Sequence, residues 1–389
     1  MNALDPLAAV TAGDPYPYYE RLVAERPFFR DDTLGMWVAA SAEAVEAVLS
    51  NAAMRVRPAS EPVPGAIAGT PMAEIFSRWA RMTDGPRHST VKTAVVAALG
   101  RLDGNELIAT SERCAKLLTQ TRLDGDRADA EAFVLGLPAL ATATTLGFAH
   151  DDASRAVAWT SEFVRSIAPG STRDEIARGT PATAALITAL IAEPPADGTL
   201  FAIFLDEGRR HGIEDAVIAA NATGFLFQSY DATAGLIGNT LVALARREDL
   251  RDAVRGDAGL LERVIAEVAR FDAPVQNTRR FASADTTVLG SKVGKGEAVL
   301  VLLAAANRDP SVNPDPHRFD PGRDERRTYT FGIGAHACPG ARMARTIAAA
   351  GVAHLLRAGI DLRHLIAPAY RPSLNARVPS FASRTGAVS

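Results

Sequence analysis

The stretch Phe331-Gly332-Ile333-Gly334-Ala335-His336-Ala337-Cys338-Pro339-Gly340 carries more structural information than any other part of the chain. Its glycines permit a tight turn with positive φ, in which backbone N–H groups can point at the cysteine sulfur. A helix predicted from about Ala341 would place the positive end of its dipole near Cys338 and stabilise a thiolate. A buried thiolate beneath a flat cofactor needs such an arrangement, because hydrogen bonds to a ligand tune the metal it holds.

Three other interpretations of this loop stay open on its residues alone. The G-x-G-x-x-A spacing that begins at Gly332 could be a dinucleotide fingerprint, but no strongly β-prone strand precedes it. The next acidic residue after the loop is Asp361, a marginal partner for a ribose. A zinc site needs three or four ligands, and His336 with Cys338 supplies two. A buried structural cysteine would explain neither the glycines nor the histidine.

The composition is that of a packed protein and excludes several classes of function. Hydrophobic residues make up 47% and charged residues 22% of the 389 residues, which is ordinary for a folded chain and wrong for disorder. The 42 basic and 45 acidic side chains give a net charge of -3, so there is no electrostatic case for binding nucleic acid. Two cysteines exclude a disulfide framework and any four-cysteine metal site.

No targeting or membrane segment is predicted. The first residues lack the basic region and the apolar core of a signal peptide, and no apolar run approaches the roughly 18 residues of a membrane span. The longest apolar run, residues 298–306, indicates a buried strand that leads into a loop. We therefore expect a cytoplasmic protein that does not bind membranes.

The pattern along the chain predicts mostly helices with a small β component. Residues 213–247 are apolar on most faces, which predicts a helix of about 30 residues through the middle of the protein. Residues 307–330 look irregular, at a length that requires a functional reason. Further expectations are a strand and helix at 34–49, a Pro/Gly-rich loop at 56–72, helices from Asp84 to about Glu193 with a turn at 124–126, a helix at 259–271, and strands at 286–290 and 297–303.

The cysteine loop resembles the haem-binding signature of cytochrome P450 enzymes, F-G-x-G-x-H-x-C-x-G, at every specified position. The resemblance implies that Cys338 is the axial ligand of haem b, where a thiolate favours O–O cleavage. It also implies haem contacts for Phe331, Gly332, His336 and Gly340. The implied fold is mainly α with small β-sheets, with haem between the long central helix and the loop and helix that contain the cysteine. Residues 1–389 would form a single domain and a monomer, with no fused reductase or ferredoxin.

Other blocks resemble the family in the same order, from about residue 14 to residue 385. Glu267 and Arg270 match its E-x-x-R pair, which shares one helix face and in the family engages an arginine of the irregular segment, here Arg318 or Arg323.

The family's haem-carboxylate contacts can also be carried over. Arg280, which follows Pro274-Val275, resembles one such contact, and His88 with Lys92 resembles the H-x-x-x-R block. That block normally ends in arginine, and lysine gives a point charge in place of a bidentate fork, so this contact is weaker or remade. Together with His336, these groups would converge on the two haem carboxylates.

The long helix departs from the family's oxygen-activating motif, typically A-G-x-[D/E]-T-T. The aligned residues are Gln228-Ser229-Tyr230-Asp231-Ala232-Thr233, so the acid is kept but alanine replaces the usual alcohol. Thr233 lies about 100° further round a regular helix and cannot substitute unless the helix is distorted. We expect Asp231, Ser229, Gln228 and Thr233, or water or a polar substrate, to supply protons; neutral drift in a pocket that still hydroxylates is the alternative.

The resemblance also implies a substrate pocket and protein partners. The pocket would take a mid-sized molecule, and its expected contacts are Gln228, Phe225, Tyr230, Val275, Asn277 and Pro379. Arg326, Arg327, Arg342 and Arg345 flank the cysteine and would suit an acidic ferredoxin, although a solvated face explains them equally well. Electrons would come from NAD(P)H through ferredoxin and ferredoxin reductase.

The sequence therefore predicts a haem-thiolate monooxygenase that oxidises a small natural product with O2. One alternative is oxidative coupling or ring formation on an aromatic or cyclic-dipeptide-type substrate, without net oxygen insertion. Another is a non-catalytic haem protein that binds a ligand.

Overall fold

The computed structural model describes residues 4–120, 127–168 and 170–381, with the backbone alone at residues 127–129 and 364. The turn predicted at 124–126 lies outside these ranges, as does the end of the resemblance at residues 382–385. Within the described ranges the structure is mainly helical, as the sequence predicts. The α-helices are α1 Tyr16–Glu25, α2 Ala42–Leu49, α3 Pro71–Ser77, α4 Gly85–Arg101, α5 Gly104–Gln120, α6 Arg127–Leu146, α7 His150–Ser166, α8 Arg173–Ile191, α9 Leu200–Arg210, α10 Asp215–Ala245, α11 Glu248–Val254, α12 Ala258–Phe271, α13 Leu303–Ala306 and α14 Ala341–Arg357.

The β component consists of small sheets. The strands are β1 Phe28–Asp31, β2 Met36–Ala39, β3 Met54–Arg55, β4 Thr278–Ala282, β5 Thr286–Val288, β6 Ser291–Val293, β7 Ala298–Val301, β8 Ala369–Tyr370 and β9 Pro379–Ser380. Five of them form a sheet in the order β1-β2-β7-β4-β3, in which only the β2–β7 pair is parallel. The pairs β5–β6 and β8–β9 form two antiparallel ribbons.

Helix α10 runs through the hydrophobic core, as its apolar sequence predicts. Every residue from Thr233 to Ala245 is buried. Its interior glycines allow neighbours to approach closely: a Cβ at Gly224 would lie 2.8 Å from the Trp79 indole, and one at Gly238 would lie 2.9 Å from Pro379. Glycine costs about 1 kcal/mol in a helix interior, and here the close packing offsets that cost.

The remaining expectations for secondary structure are largely confirmed. Residues 307–330 contain neither helix nor strand, and α14 begins at Ala341. The apolar run at 298–306 differs from its prediction, because β7 leads into the buried turn of α13 where a loop was expected. The segment at 56–72 ends with the first residues of α3. In the part of the chain that the structure describes, no helix is both long and apolar enough to cross a membrane.

Candidate functional site

The cysteine loop folds into a tight turn held by its own backbone. Gly332 and Gly334 have φ of 66° and 67°, values that a residue with a side chain rarely adopts. The N–H of Cys338 donates to the carbonyl of Phe331 at 2.7 Å. The N–H of Gly340 donates to the Cys338 sulfur and lowers the pKa of the thiol. The predicted N–H groups aimed at sulfur therefore include Gly340.

The Cys338 side chain is exposed, although the thiol is closely surrounded by protein. Burial raises the pKa of the thiol and outweighs the lowering by the Gly340 N–H and by the charges of Lys92 and Arg81. An exposed side chain whose end is surrounded by protein faces an internal cleft and not bulk water. The expected donors and cations are thus present, but they do not by themselves make the thiolate the favoured form; bonding to a metal ion would supply that stabilisation.

Two histidines and an aspartate form a polar cluster beside the loop. The rings of His88 and His336 lie 4.0 Å apart between centroids. His336 Nε2 lies 3.1 Å from Asp84 Oδ1, and Asp84 also accepts from the N–H of Val56 at 3.1 Å. Burial lowers the pKa of His336, while hydrogen bonds to His336 and Val56 lower the pKa of Asp84. The pair is therefore a neutral imidazole that donates to an ionised carboxylate.

His88 holds the cysteine loop against the chain before helix α4. Its ring nitrogens lie 2.8 Å from the carbonyl oxygen of Ala80 and 3.1 Å from that of Ala335. Both partners are backbone acceptors, so each contact is a hydrogen bond only where the ring nitrogen concerned carries a proton.

Lys92 and Arg280 bring positive charge to the same cluster, as the resemblance implies. Lys92 Nζ donates to the carbonyl of Ala337 in the cysteine loop. Arg280, on β4, is buried, and this burial lowers its pKa to about 10, although Asp84 acts in the opposite direction. The fold thus gathers His88, Lys92, Arg280 and His336 around the cysteine loop.

Arg81 belongs to this region and was missed by the sequence analysis. It lies in a short turn at Ala80–Met82, and burial lowers the pKa of its guanidinium while Cys338 raises it. A single arginine in an irregular segment gives no periodic signal, so nothing in the sequence distinguished it.

The Glu267–Arg270 pair forms as predicted, and two arginines of the irregular segment engage it. Arg270 donates to both carboxylate oxygens of Glu267, at 3.0 and 2.6 Å, and both side chains are fully buried. Arg326 donates to Glu267 at 2.9 Å, and Arg323 forms a longer ion pair with the same carboxylate at 3.9 Å. The Arg318 side chain is 70% exposed and pairs with Asp320, although its carbonyl accepts from Arg270 at 3.2 Å. Arg323 is therefore confirmed as a partner of the pair, Arg318 was wrong as a side-chain partner, and the closest arginine, Arg326, was not predicted.

Residues 228–233, which align with the oxygen-activating motif, lie on a stretch of α10 that is α-helical throughout, without a bulge. Gln228 Nε2 donates to the carbonyl of Gly224, one turn earlier, at 2.9 Å. Ser229 Oγ donates to the Leu226 carbonyl and lies 3.1 Å from the hydroxyl of Thr142 on α6. Thr142 is a second residue that the sequence analysis missed, because its contact joins distant parts of the chain.

The regular helix separates Asp231 from Thr233. Asp231 is half-buried, and burial raises the pKa of its carboxyl group, with Arg371 acting in the opposite direction. The Thr233 hydroxyl is buried and has no hydrogen-bond partner in the described structure. Since the helix is not distorted, Thr233 does not take the place of the alcohol missing at Ala232.

The expected pocket residues have different environments. Phe225 is half-buried, with its ring 5.7 Å from that of Phe204, whereas Tyr230 is 5% exposed. Asn277 is buried and donates to the Leu374 carbonyl at 2.8 Å. Val275 pairs with Ala376 in an isolated bridge, and Pro379 packs on α10 at Gly238. Their role as substrate contacts stays a prediction.

The arginines around the loop do not all face a partner. Arg326 is used inside the protein by Glu267, and Arg327 pairs with Glu46 at 2.7 Å. Arg342 donates to backbone carbonyls at the end of α4, and Arg345 is exposed on α14. In residues 4–120, 127–168 and 170–381, no three His, Cys, Asp or Glu side chains form a metal-binding group.

Comparison with known proteins identifies the family. Residues 188–358 match the family model described as cytochrome P450. The chain is 30% identical over 369 residues to the cytochrome P450 monooxygenase PikC of Streptomyces venezuelae, an alignment covering 92% of this chain and 86% of that protein. The chain therefore belongs to the cytochrome P450 family. It is a cytochrome P450 enzyme with haem b as its cofactor, and it acts on a small molecule with electrons from a redox partner.

Other relatives and solved structures agree with this assignment. The biotin biosynthesis cytochrome P450 of Bacillus subtilis is 24% identical over 355 residues, covering 88% of this chain and 89% of that protein. The crystal structure of CalO2 superposes with a TM-score of 0.79 at 26% identity, covering 92% of this chain and 91% of that one. Epothilone B-bound P450epoK gives the same TM-score at 23% identity, covering 91% and 92%, and supports the fold alone.

Proposed function

We propose that this P450 is a haem-thiolate monooxygenase that oxidises a small natural product, with Cys338 as the haem-iron ligand. The observation that carries the proposal is the environment of Cys338. Its side chain is exposed to an internal cleft, its sulfur accepts from the Gly340 N–H, and the charges of Lys92 and Arg81 act on it. This donor set fits haem, because one thiolate with a hydrogen-bonded sulfur is a known form of axial ligation. Haem held in this way supplies activation of dioxygen for oxidation of the substrate.

The residues around the loop would hold the haem carboxylates. Lys92 and Arg280 supply charge, and His88 and His336 supply ring nitrogens, all from elements that meet at the cysteine loop. His336 already donates its one N–H to Asp84, so it would reach a haem carboxylate only by exchanging that partner. Phe331, Gly332 and Gly340 shape the turn that presents the sulfur. Glu267 and Arg270 hold the irregular segment 307–330, which precedes the cysteine loop, and they contact neither substrate nor haem in this proposal.

Proton supply would come from the motif on α10 and from water or substrate. Asp231 has a carboxyl group whose pKa is raised by burial, so it holds a proton more readily than an exposed aspartate. Ser229 and Gln228 add a hydroxyl and an amide on the same stretch, and Thr142 holds the Ser229 hydroxyl. With alanine at 232 and Thr233 buried, no threonine of the motif is available for this task.

The redox partner would be a ferredoxin reduced by a ferredoxin reductase. Arg345 on α14, with Arg342 beside it, gives an exposed basic surface close to the cysteine loop, which suits an acidic carrier. The relatives favour a natural-product substrate, since one is described as a 20-oxo-5-O-mycaminosyltylactone 23-monooxygenase.

The test is the difference spectrum of the reduced protein with carbon monoxide. The wild type should give the band of thiolate-ligated haem, and Cys338→Ala should lose it. Cys114 is buried, and its sulfur lies 3.6 Å from the Thr144 hydroxyl, so Cys114→Ala is the matched control and should keep the band. A wild-type spectrum without the thiolate band would overturn the proposal.

Oxidative coupling or ring formation is the second candidate function, and the alanine at 232 favours it, because the resemblance implies that altered oxygen-activating motifs occur in family members that catalyse such reactions. The mass of the product separates the two: a gain of one oxygen atom indicates a monooxygenase, and loss of two hydrogens indicates coupling. The names of the relatives favour an enzyme over a non-catalytic haem protein. NAD(P)H-dependent turnover with a surrogate ferredoxin and reductase distinguishes an enzyme from a non-catalytic haem protein.

A further inference from the structure

Arg81 has a charge that the proposed function does not use. In the described ranges of the chain its guanidinium has neither a carboxylate nor a carbonyl partner; its neighbours are the Phe227 ring and the charge of Cys338. Most other arginines of this region are engaged: Arg280 donates to the Arg279 carbonyl and Arg342 to the end of α4. The Arg81 side chain is exposed although protein closely surrounds its guanidinium, so it faces an internal cleft, where a cation without a partner favours an anion.

The backbone that carries Arg81 is fixed against α10. The indole N–H of Trp79 donates to the Ala220 carbonyl at 2.8 Å. Asn221 accepts from the N–H of Ala80 at 2.8 Å and donates to the Arg78 carbonyl at 2.9 Å. Because the residues on the N-terminal side of Arg81 are held in this way, its backbone is positioned before any ligand arrives, and only the side chain has to be ordered on binding.

The direction of the Arg81 side chain is given by its two neighbours. Its Cζ lies 5.7 Å from the centroid of the Phe227 ring on α10. The charge of Cys338 acts on its pKa, so Arg81 lies within electrostatic reach of the cysteine loop. Arg81 therefore faces the space between the central helix and the cysteine loop, where substrate and haem would meet.

The wall beside Arg81 is aromatic. The Phe227 ring stacks on Trp79 at 5.0 Å, and Phe163 lies 5.5 Å from Trp79 and 5.7 Å from Phe227 between ring centroids. Trp79 and Phe163 are fully buried, so the half-buried Phe227 is the ring of this cluster that a ligand can reach. A cation at the edge of an aromatic wall suits a molecule with an apolar body and a carboxylate, which a guanidinium binds through two parallel hydrogen bonds.

We propose that Arg81 binds the carboxylate of the substrate, so that the substrate class is a small carboxylic acid with an apolar, aryl-sized body. This inference rests on the proposed function, because it needs haem at Cys338. A bound carboxylate would also bring a titratable group near the stretch of α10 that carries alanine at 232.

A haem carboxylate offers the same chemistry from a second source. Four other groups, His88, Lys92, Arg280 and His336, already gather at the cysteine loop for the two haem carboxylates. The charge of Arg81 acts on the pKa of Arg280, so Arg81 lies near this group, but its guanidinium lies over the Phe227 ring of α10, and this contact favours the substrate. The test must separate the two sources.

The experiment is a titration of the haem-loaded protein with matched acids and amides, followed by the haem absorbance. The probes are phenylacetate, 4-phenylbutyrate and 5-phenylpentanoate, each with its primary amide. At least one acid should bind the wild type about 10-fold or more tightly than its amide, as expected for a charge-assisted pair. Arg81→Gln should lose this preference, and Arg81→Lys should keep part of it. Arg87→Gln, at an exposed arginine on α4, is the matched control and should keep all of it.

Haem content and the carbon monoxide band of each variant distinguish the outcomes. The inference requires both to be unchanged in Arg81→Gln. Loss of haem from Arg81→Gln, with equal weakening of acids and amides, would assign Arg81 to a haem carboxylate and overturn the inference. A wild type that prefers no acid over its amide anywhere in the panel would also overturn it. Either result leaves the proposed function standing if the wild-type band is that of a thiolate.

Discussion

Arg326 donates a 2.9 Å hydrogen bond to Glu267, and this contact ties the irregular segment before the cysteine loop to a fully buried ion pair. Glu267 also accepts from the backbone N–H of Asp320 at 3.0 Å, while Arg270 donates to the carbonyls of Asn307 and Pro316. A segment with neither helix nor strand is thus given a fixed path by one carboxylate and two guanidinium groups.

Arg326→Ala should lower the free energy of unfolding by about 1.5–3 kcal/mol, because it removes a hydrogen bond to a buried charged group. Urea unfolding of the haem-loaded protein measures this change. Arg318→Ala is the matched control from the same segment; its side chain is largely exposed, so it should change stability by less than about 0.5 kcal/mol. Equal effects of the two variants would contradict the assignment of Arg326.

Asp231→Asn should stabilise the protein increasingly as the pH rises from about 4 to 7. Burial raises the pKa of Asp231 above 3.8, so the wild-type carboxyl group is best accommodated when neutral, and its contribution is lost as it ionises. Urea unfolding at several pH values measures the difference between variant and wild type.

Glu46→Gln provides the comparison of opposite sign. Hydrogen bonds from Tyr329 and Arg327 lower the pKa of Glu46, so its contribution is present above pH 4.5 and is lost as the pH falls. Parallel pH profiles for the two variants would disprove the prediction for Asp231.

Ala232→Thr should change the fraction of electrons lost as hydrogen peroxide. With a substrate that has no hydrogen-bonding groups, the new hydroxyl should lower this fraction, because it supplies a hydrogen bond that α10 otherwise lacks. Peroxide formed per NAD(P)H consumed is the measurement. An unchanged ratio with every substrate would favour neutral drift at this position.

Thr233→Val should raise the free energy of unfolding by about 1 kcal/mol, because it removes a buried hydroxyl that has no partner in the described structure. The same variant should leave the peroxide ratio unchanged, since this hydroxyl does not face the site. A large rise in peroxide would show that Thr233 takes part in proton supply after all.

Arg345→Glu should slow electron transfer from an acidic ferredoxin by about 10-fold at low salt, and the effect should shrink as salt rises. Stopped-flow reduction of the haem measures the rate. Arg173→Glu changes an exposed arginine on α8 and should have little effect. Equal rates for the wild type and Arg345→Glu would indicate that the basic surface is only a solvated face.

The sequence was sufficient for the parts of the molecule where a pattern repeats or a motif is dense. The apolar periodicity of 213–247 predicted α10, and the glycines around Cys338 predicted the turn with positive φ. It was insufficient where side chains of one type are crowded: Arg318, Arg323, Arg326 and Arg327 lie within ten residues, and only the folded path selects Arg326.

Single residues whose partners are distant were also missed. The hydroxyls of Thr142 and Ser229 meet across 87 positions of sequence, and no local pattern marks either as a partner of the other. The position of Arg81 depends in the same way on Asn221 and Trp79, which hold its turn to the central helix.

The attachment of Trp79 and Ala80 to α10 limits how a substrate enters and leaves. Swinging this turn outward would break the hydrogen bonds to Ala220 and Asn221 together, and the buried helix cannot follow. We therefore expect a substrate to enter through movement of another segment, and the Pro/Gly-rich residues 56–72, which lead into α3, are the nearest such segment along the chain. Slow hydrogen exchange at the amide of Ala80, which donates to Asn221, would show that this turn stays fixed while a substrate binds.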